Sequence, residues 1–205
     1  MSSQPTSVDR RDLERWAAER GLPPAPARYS SLILAQMCLG HEGRILDAYH
    51  VIEEMRFLEG LKAVSATKPA SPFQRPPLAG FMHKHYFQAG FIPANIASEY
   101  GVRHGGNQNL DKLISRLFSA HEGELVCGDF AKIAAHELTI VALCRRSARQ
   151  RRTGEWIVYS EREHVRSYLT LASHREGDGD IYARMKEQCG REFPGIFEGN
   201  DLPPV

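Results

Sequence analysis

The two stretches EWIVYS (residues 155–160) and RSYLTLAS (residues 166–173) carry the clearest strand pattern of this chain. Both are rich in β-branched and aromatic residues, which favour strands because their side chains pack well on a pleated surface. Polar residues 161–165 join them, so the pattern predicts a β hairpin. The segments around the hairpin have helical patterns, and the chain is therefore predicted to have an α+β fold.

Helices are predicted on both sides of this hairpin. The longest covers residues 130–152, with Asp129 as its N-cap, and Gly154 ends it. A closing helix covers residues 180–189. We expect a small antiparallel sheet that packs on the long helix, with most other helices preceding the sheet.

The first third of the chain is predicted to be helical, beginning at an N-cap on Asp9. Four prolines make residues 67–77 a loop and the best internal boundary. The expected organisation is a helical segment over residues 1–66, the Pro-rich loop, an α+β core domain over 78–198, and a disordered tail over 199–205.

Composition favours an ordinary globular protein. The chain has 205 residues, 42% of them hydrophobic, and a net charge of +1. Its four cysteines are far apart and form no C-x-x-C pair, so we expect reduced thiols and a cytoplasmic location. Neither a signal core in the first residues nor an apolar run of membrane-spanning length is present in the sequence, and no membrane partner is expected.

The segment FMHKHYF (residues 81–87) places two histidines among aromatic residues. If it is extended, His83 and His85 share one face with Phe81 and Phe87, while Lys84 lies on the other face. Histidine transfers protons near neutral pH and also binds metals. Three interpretations stay open: acid–base chemistry, a metal site, or histidines that simply pack and form hydrogen bonds in a half-exposed strand.

A metal site would need at least a third protein ligand besides His83 and His85. The candidates do not form a recognised spacing such as H-E-x-x-H; they are His104, His121, His136 and Glu137. We therefore expect neither a metal nor a cofactor.

Five arginines lie within eight residues at the end of the long predicted helix: Arg145, Arg146, Arg149, Arg151 and Arg152. Cations stabilise the carboxyl end of a helix, which is one explanation for the run. Guanidinium groups also bind phosphates through two parallel hydrogen bonds, and residues 145, 149 and 152 would line one helix face. We predict that these arginines, together with Lys84, contact nucleic acid.

The order of strand, loop, strand, basic residue and helix-opening tyrosine in residues 155–189 resembles the end of the RelE-type ribonuclease toxins. These belong to a wider group of small ribonucleases that includes EndoU-like enzymes. The resemblance implies that Arg175 stabilises the transition-state phosphate, that Tyr182 and His174 move protons, and that no metal is needed. A strand-end cation and a helix-packing aromatic are the alternative interpretations of Arg175 and Tyr182.

The leading hypothesis is a metal-independent endoribonuclease that acts on RNA, with His83 and His85 as acid and base. One alternative is a non-catalytic accessory or immunity factor that binds nucleic acid or a protein. Another is a metal-dependent hydrolase built on histidines.

Overall fold

A computed structural model describes residues 9–101, 108–120, 128–152 and 154–198 of the chain. At its centre lies the predicted hairpin of strands Glu155–Arg162 and Val165–Ala172. Both turn residues, Glu163 and His164, have positive φ angles (51° and 64°), as the inner positions of a type I′ turn require. The loop is therefore two residues long, shorter than the sequence suggested, because both strands extend further than their β-branched stretches.

Three further strands complete a five-stranded sheet. In chain order the strands are β1 (Arg28–Tyr29), β2 (Ser71–Pro72), β3 (Met82–Tyr86), β4 (Glu155–Arg162) and β5 (Val165–Ala172). Their spatial order is β1-β5-β4-β3-β2. All neighbouring pairs are antiparallel except β1 with β5, so the sheet is mixed. The α+β class is confirmed.

Helices α1, α2 and α3 cover one face of the sheet, over Arg10–Glu19, Ser31–Glu42 and Ala48–Leu58. Asp9 caps α1 as predicted, accepting a hydrogen bond from the backbone amide of Arg11. Apolar side chains of these helices pack against inward-facing residues of β3, β4 and β5 in one cluster; among its members are Ile33, Leu34, Met37, Ile52, Met55, Ile157 and Tyr168.

Helices α8 (Asp178–Cys189) and α9 (Pro194–Phe197) cover the other face. Here a second cluster includes Phe81, Val158, Leu169, Ile181 and Met185. Strands β4 and β5 contribute buried residues to both clusters, so the hairpin lies between two hydrophobic cores. This explains why each of the two strands has a run of consecutive buried residues.

The remaining helices form a third cluster. They are α4 (Ile92–Glu99), which follows a 3-10 turn at Ala89–Phe91, then α5 (Gln108–Ala120), α6 (Gly128–His136) and α7 (Ala142–Ala148). A π-helical turn over Glu137–Val141 connects α6 to α7. The long predicted helix is thus interrupted and ends at Ala148, and its buried side chains pack with residues of α4 and α5. The sheet is covered by the helices of the other two clusters, and not by the predicted long helix.

Residues on both sides of the predicted boundary at 67–77 contribute to the same sheet and the same cluster. Within the loop, Ser71 and Pro72 form β2, whose edge position suits a residue without a backbone N–H. The proposed division into segments stays a prediction, and the tail at 199–205 lies outside the described residues. In the described ranges, no helix combines the length and the apolar character needed to cross a lipid bilayer.

Candidate active site

Strand β3 separates its side chains onto two faces. His83 and His85 lie on the same side as Phe81, while Met82 and Tyr86 pack into the cluster beneath α2 and α3. The alternation stops where the strand ends at Tyr86. Phe87, expected on the histidine face, instead packs its ring against His50 of α3, with the ring centroids 5.3 Å apart.

His85 is held as a neutral imidazole. It is 4% exposed, and burial lowers its pKa to about 4. Its Nδ1 lies 3.0 Å from the carbonyl oxygen of Gly154, so the Nδ1–H donates to that oxygen and Nε2 carries the lone pair. The backbone of Gly154 also lies close to that of Tyr86, which requires a residue without a side chain: a Cβ atom there would lie 1.7 Å from the carbonyl oxygen of Tyr86.

His83 is half-buried beside His85, with 5.8 Å between the ring centroids. Burial lowers its pKa, and the nearby His174 and Lys68 act in the same direction. Its Nε2 lies 3.3 Å from the hydroxyl of Ser71 on β2, and its buried Nδ1 has no hydrogen-bond partner among the described residues.

A layer of aromatic rings joins these histidines to His174, which follows β5. The His174 ring stacks on His85 with centroids 5.1 Å apart and an interplanar angle of 20°. Trp156 of β4 contacts both His83 and His174, at centroid distances of 5.3 and 4.2 Å. The predicted site residues His83, His85 and His174 are therefore brought together.

Glu155 fixes the turn that carries His174. Its carboxylate accepts a hydrogen bond from the His174 backbone N–H at 2.7 Å and one from the Ser173 hydroxyl at 3.1 Å. The Ser173 hydroxyl in turn accepts from the backbone N–H of Arg175 at 3.2 Å. The start of β4 thus sets the positions of both His174 and Arg175.

An open pocket of about 650 Å³ lies over this cluster. Residues from four separate segments line it: Lys68, Gly90, Phe91, Ala94, Glu155, Ser173, His174 and Arg175. Burial lowers the pKa of Lys68, with a further contribution from the charge of Arg146. The pocket combines an exposed imidazole, two cations, one carboxylate and one aromatic wall.

Tyr182 lies apart from this pocket. Its ring packs between Phe81 and Phe197, with centroids 6.3 and 6.2 Å away, and its buried hydroxyl has no hydrogen-bond partner in the described structure. The prediction that Tyr182 donates a proton in the site is not supported, because α8 turns this side chain into the second core cluster.

Lys84 is not available to nucleic acid, contrary to the prediction. Its side chain is fully buried, and its Nζ lies 3.0 Å from the Glu54 carboxylate. It also donates to the hydroxyls of Ser65 and Thr67 and to the carbonyl of Lys68. The alternation of β3 that places His83 and His85 on one face of the sheet directs Lys84 to the other face, towards Glu54 of α3.

The five arginines do not form one stripe. Arg145 bonds Glu137 at 3.4 Å, and Arg149 bonds Glu99 at 3.1 Å. Arg146 is 8% exposed and donates to the side chain of Asn95 and to the carbonyl of Arg151, so its predicted role in nucleic-acid contact is not supported.

The last two arginines lie beyond the end of α7. Arg152 forms a β-bridge with Thr67, and its guanidinium lies 5.0 Å from the ring centroid of Phe87. Arg151 is exposed. The single helical face expected for residues 145, 149 and 152 is absent because the helix stops before the run is complete.

Among the described residues, no group of three or more histidine, cysteine, aspartate or glutamate side chains is arranged to hold a metal ion. Two of the suggested extra ligands, His104 and His121, lie outside the described residues. Glu137 is bonded to Arg116 and Arg145.

The chain matches no family model, no curated protein and no solved structure. The resemblance of residues 155–189 to RelE-type and EndoU-like ribonucleases therefore stays a prediction.

Lys68, Phe91 and Glu155 are among the lining residues of the pocket that the sequence did not reveal. Lys68 lies in the Pro-rich loop and Phe91 in a short turn, where no local pattern marks a functional residue. Glu155 did carry a signal, since it is a charged residue directly before the apolar run of residues 156–159.

Proposed function

We propose that this pocket binds a segment of RNA and cleaves its phosphodiester backbone without a metal. The observation that carries the proposal is that His174, stacked on the neutral His85, shares one pocket with Arg175 and Lys68. An exposed imidazole beside two cations is suited to proton transfer at a phosphate. The resemblance of residues 155–189 to ribonucleases is in keeping with it.

The roles proposed for the histidines differ from the sequence hypothesis. His83 and His85 are too buried and too weakly basic to be the main acid and base, so we assign proton transfer to His174. His85 holds the His174 ring in place by stacking against it. Arg175 binds the phosphate, and Phe91 offers a face on which a base can stack.

The proposed reaction uses the ribose as nucleophile. The His174 imidazole takes the proton of the 2′-hydroxyl, and the 2′-oxygen forms a bond to the adjacent phosphorus. The bond from phosphorus to the 5′-oxygen breaks, and that oxygen receives a proton from the ammonium group of Lys68. The products are a 2′,3′-cyclic phosphate and a free 5′-hydroxyl. Arg175 stabilises the negative charge that develops on the phosphate oxygens in the transition state.

The test is cleavage of a short single-stranded RNA in the presence of a chelator. We expect His174→Gln to slow cleavage by about a hundredfold or more, because a positioned acid or base contributes at least that much. Arg175→Gln should slow it by about a hundredfold as well. The matched control is His164→Asn, which removes an exposed imidazole from the distant hairpin turn and tolerates its positive φ.

A substrate with a 2′-deoxyribose at every position should remain intact. Equal melting temperatures for all variants would show that the fold is unchanged. Cleavage that persists in both His174→Gln and Arg175→Gln would contradict the proposal, and so would cleavage of the deoxy substrate.

A non-catalytic RNA-binding protein is the second candidate. It is favoured by the low basicity of His83 and His85 and by an aromatic and cationic pocket that can hold a nucleotide without reacting. Salt-sensitive RNA binding without turnover would select this candidate. Stoichiometric metal in the purified protein would instead favour a metal-dependent hydrolase.

For each of these functions we propose a cytoplasmic location, because the cysteines are dispersed along the chain.

A further inference from the structure

A second pocket lies in the helical cluster, between α4, α5 and α7. Its volume is about 360 Å³, and a different set of residues lines it. Four of its lining side chains are cations: Lys112, Arg116, Arg145 and Arg149. Its volume falls near the lower end of small-molecule sites, which span roughly 300–1,000 Å³.

The positive charge of this second pocket exceeds the negative charge beside it. Arg116 and Arg145 both bond the same oxygen, Oε2 of Glu137, at 3.0 and 3.4 Å. Arg149 bonds Glu99 at 3.1 Å. Among the described residues, four cations therefore face two carboxylates, and two guanidinium groups share one oxygen atom. Each guanidinium has five N–H donors, and within the described part of the chain Arg116, Arg145 and Arg149 each bond a carboxylate through one nitrogen, which leaves further donors for a ligand.

The backbone around the second pocket sets these charges in place. Glu137 is the first residue of the π-helical turn, and the hydroxyl of the buried Tyr100 donates to its carbonyl oxygen at 2.9 Å. Leu113 of α5 is buried at the wall. Arg145 and Arg149 are four residues apart, so both project from the same face of the chain at the end of α7. The cations thus converge from α5 and α7 on one concavity.

We propose that the second pocket binds a small phosphate-type polyanion such as diphosphate. A guanidinium group donates two parallel hydrogen bonds to phosphate oxygens, and several guanidinium groups around one concavity can bind a compact polyanion. The Glu137 carboxylate occupies part of the same donor set, so it acts as an internal competitor of the ligand. The proposal does not depend on RNA cleavage in the first pocket.

The same phosphate chemistry could come from an RNA backbone. The size of the concavity favours the small ligand, and competition distinguishes the two sources. Diphosphate bound at this site should not be displaced by a single-stranded RNA that saturates the first pocket. Displacement by that RNA in the wild type and in Arg175→Gln alike would identify the backbone phosphate as the ligand and overturn the proposal.

The main experiment is calorimetric titration of the full chain with inorganic pyrophosphate. We expect one site, with Arg145→Gln and Arg116→Gln each weakening binding by about tenfold, as loss of one charge-assisted contact predicts. Lys112→Gln should weaken it by a smaller factor. The control Arg15→Gln removes an exposed arginine paired with Asp12 on α1 and should leave the affinity unchanged.

Glu137→Gln separates a ligand site from a purely structural ion-pair network. The variant keeps the shape of the side chain and removes the competing charge, so pyrophosphate should bind more tightly by about tenfold. A purely structural network would show no pyrophosphate binding in any variant. That result, or equal weakening by Arg15→Gln and Arg145→Gln, would overturn the proposal.

Discussion

His85 is expected to make the stability of the protein depend on pH. Burial lowers its pKa to about 4 in the folded chain, whereas an unfolded histidine titrates near its ordinary value of about 6.5. Between these values the unfolded state binds more protons, so stability falls as the pH falls through this window. From pH 7 to pH 5 we expect a loss of about 2 kcal/mol in the free energy of unfolding.

Urea unfolding at the two pH values measures this loss. His85→Gln can still donate to the Gly154 carbonyl and has no titrating group, so its pH dependence should be shallower. His83 contributes in the same direction as His85, which leaves a residual slope. Equal losses in the wild type and in His85→Gln would contradict the assignment to His85.

The buried pair of Lys84 and Glu54 leads to a second expectation at the scale of single residues. Glu54 is 7% exposed, so Lys84→Met would leave a buried carboxylate without its cation. We expect this variant to lose about 3–5 kcal/mol of stability. The double variant Lys84→Met with Glu54→Leu should recover most of the loss, because no unpaired charge remains.

Denaturant titration of the two variants and the wild type provides the comparison. A single variant within about 1 kcal/mol of the wild type would show that the charge pair is not important for stability, in contrast to the few kcal/mol typical of breaking a buried pair.

The strand period explains which site residues the sequence could reveal. Alternation along β3 was enough to place His83 and His85 on one face and Lys84 on the other. The alternation along β3 could not predict that Lys84 is buried, because its partners Glu54 and Ser65 lie in other segments of the chain. For the same reason the stacking of His174 on His85 required the pairing of β3 with β4 and of β4 with β5.

At the scale of elements, a substitution in the β4–β5 turn can increase the stability of the folded protein. Glu163 and His164 adopt positive φ angles that favour glycine and asparagine. We expect His164→Gly to stabilise the protein by about 1 kcal/mol, because glycine adopts this conformation without strain. Thermal melts of His164→Gly and of the strand control Arg162→Gly, which should be destabilised, test this expectation. A lower melting temperature for His164→Gly than for the wild type would contradict it.

The accuracy of the sequence predictions differs between elements for a local reason. Strands β4 and β5 contain apolar stretches, helix α1 has a side-chain cap, and helix α8 has acidic residues in its first turn; all four were predicted near their observed positions. Strands β1 and β2 are two residues long and exist because a neighbouring strand pairs with them. The π-helical turn has no pattern distinct from that of the helices around it, so the long helix was predicted without interruption.

At the scale of the whole molecule, the distribution of charge predicts how RNA binding responds to salt. The net charge is +1, Arg145 and Arg149 line the second pocket, and the described cations that line the candidate active site are Lys68 and Arg175. Two phosphate contacts on single-stranded RNA give a slope of about −1.4 for the logarithm of the association constant against that of the salt concentration.

Arg175→Gln should make this slope shallower by about 0.7. Arg151→Gln should leave the slope unchanged, since Arg151 is not among the residues that line the pocket. Fluorescence anisotropy with a labelled RNA at several salt concentrations measures each slope. A slope steeper than about −3 that becomes shallower in Arg151→Gln would mean that the arginines after α7 hold the RNA, and the binding surface would then lie there and not over His174.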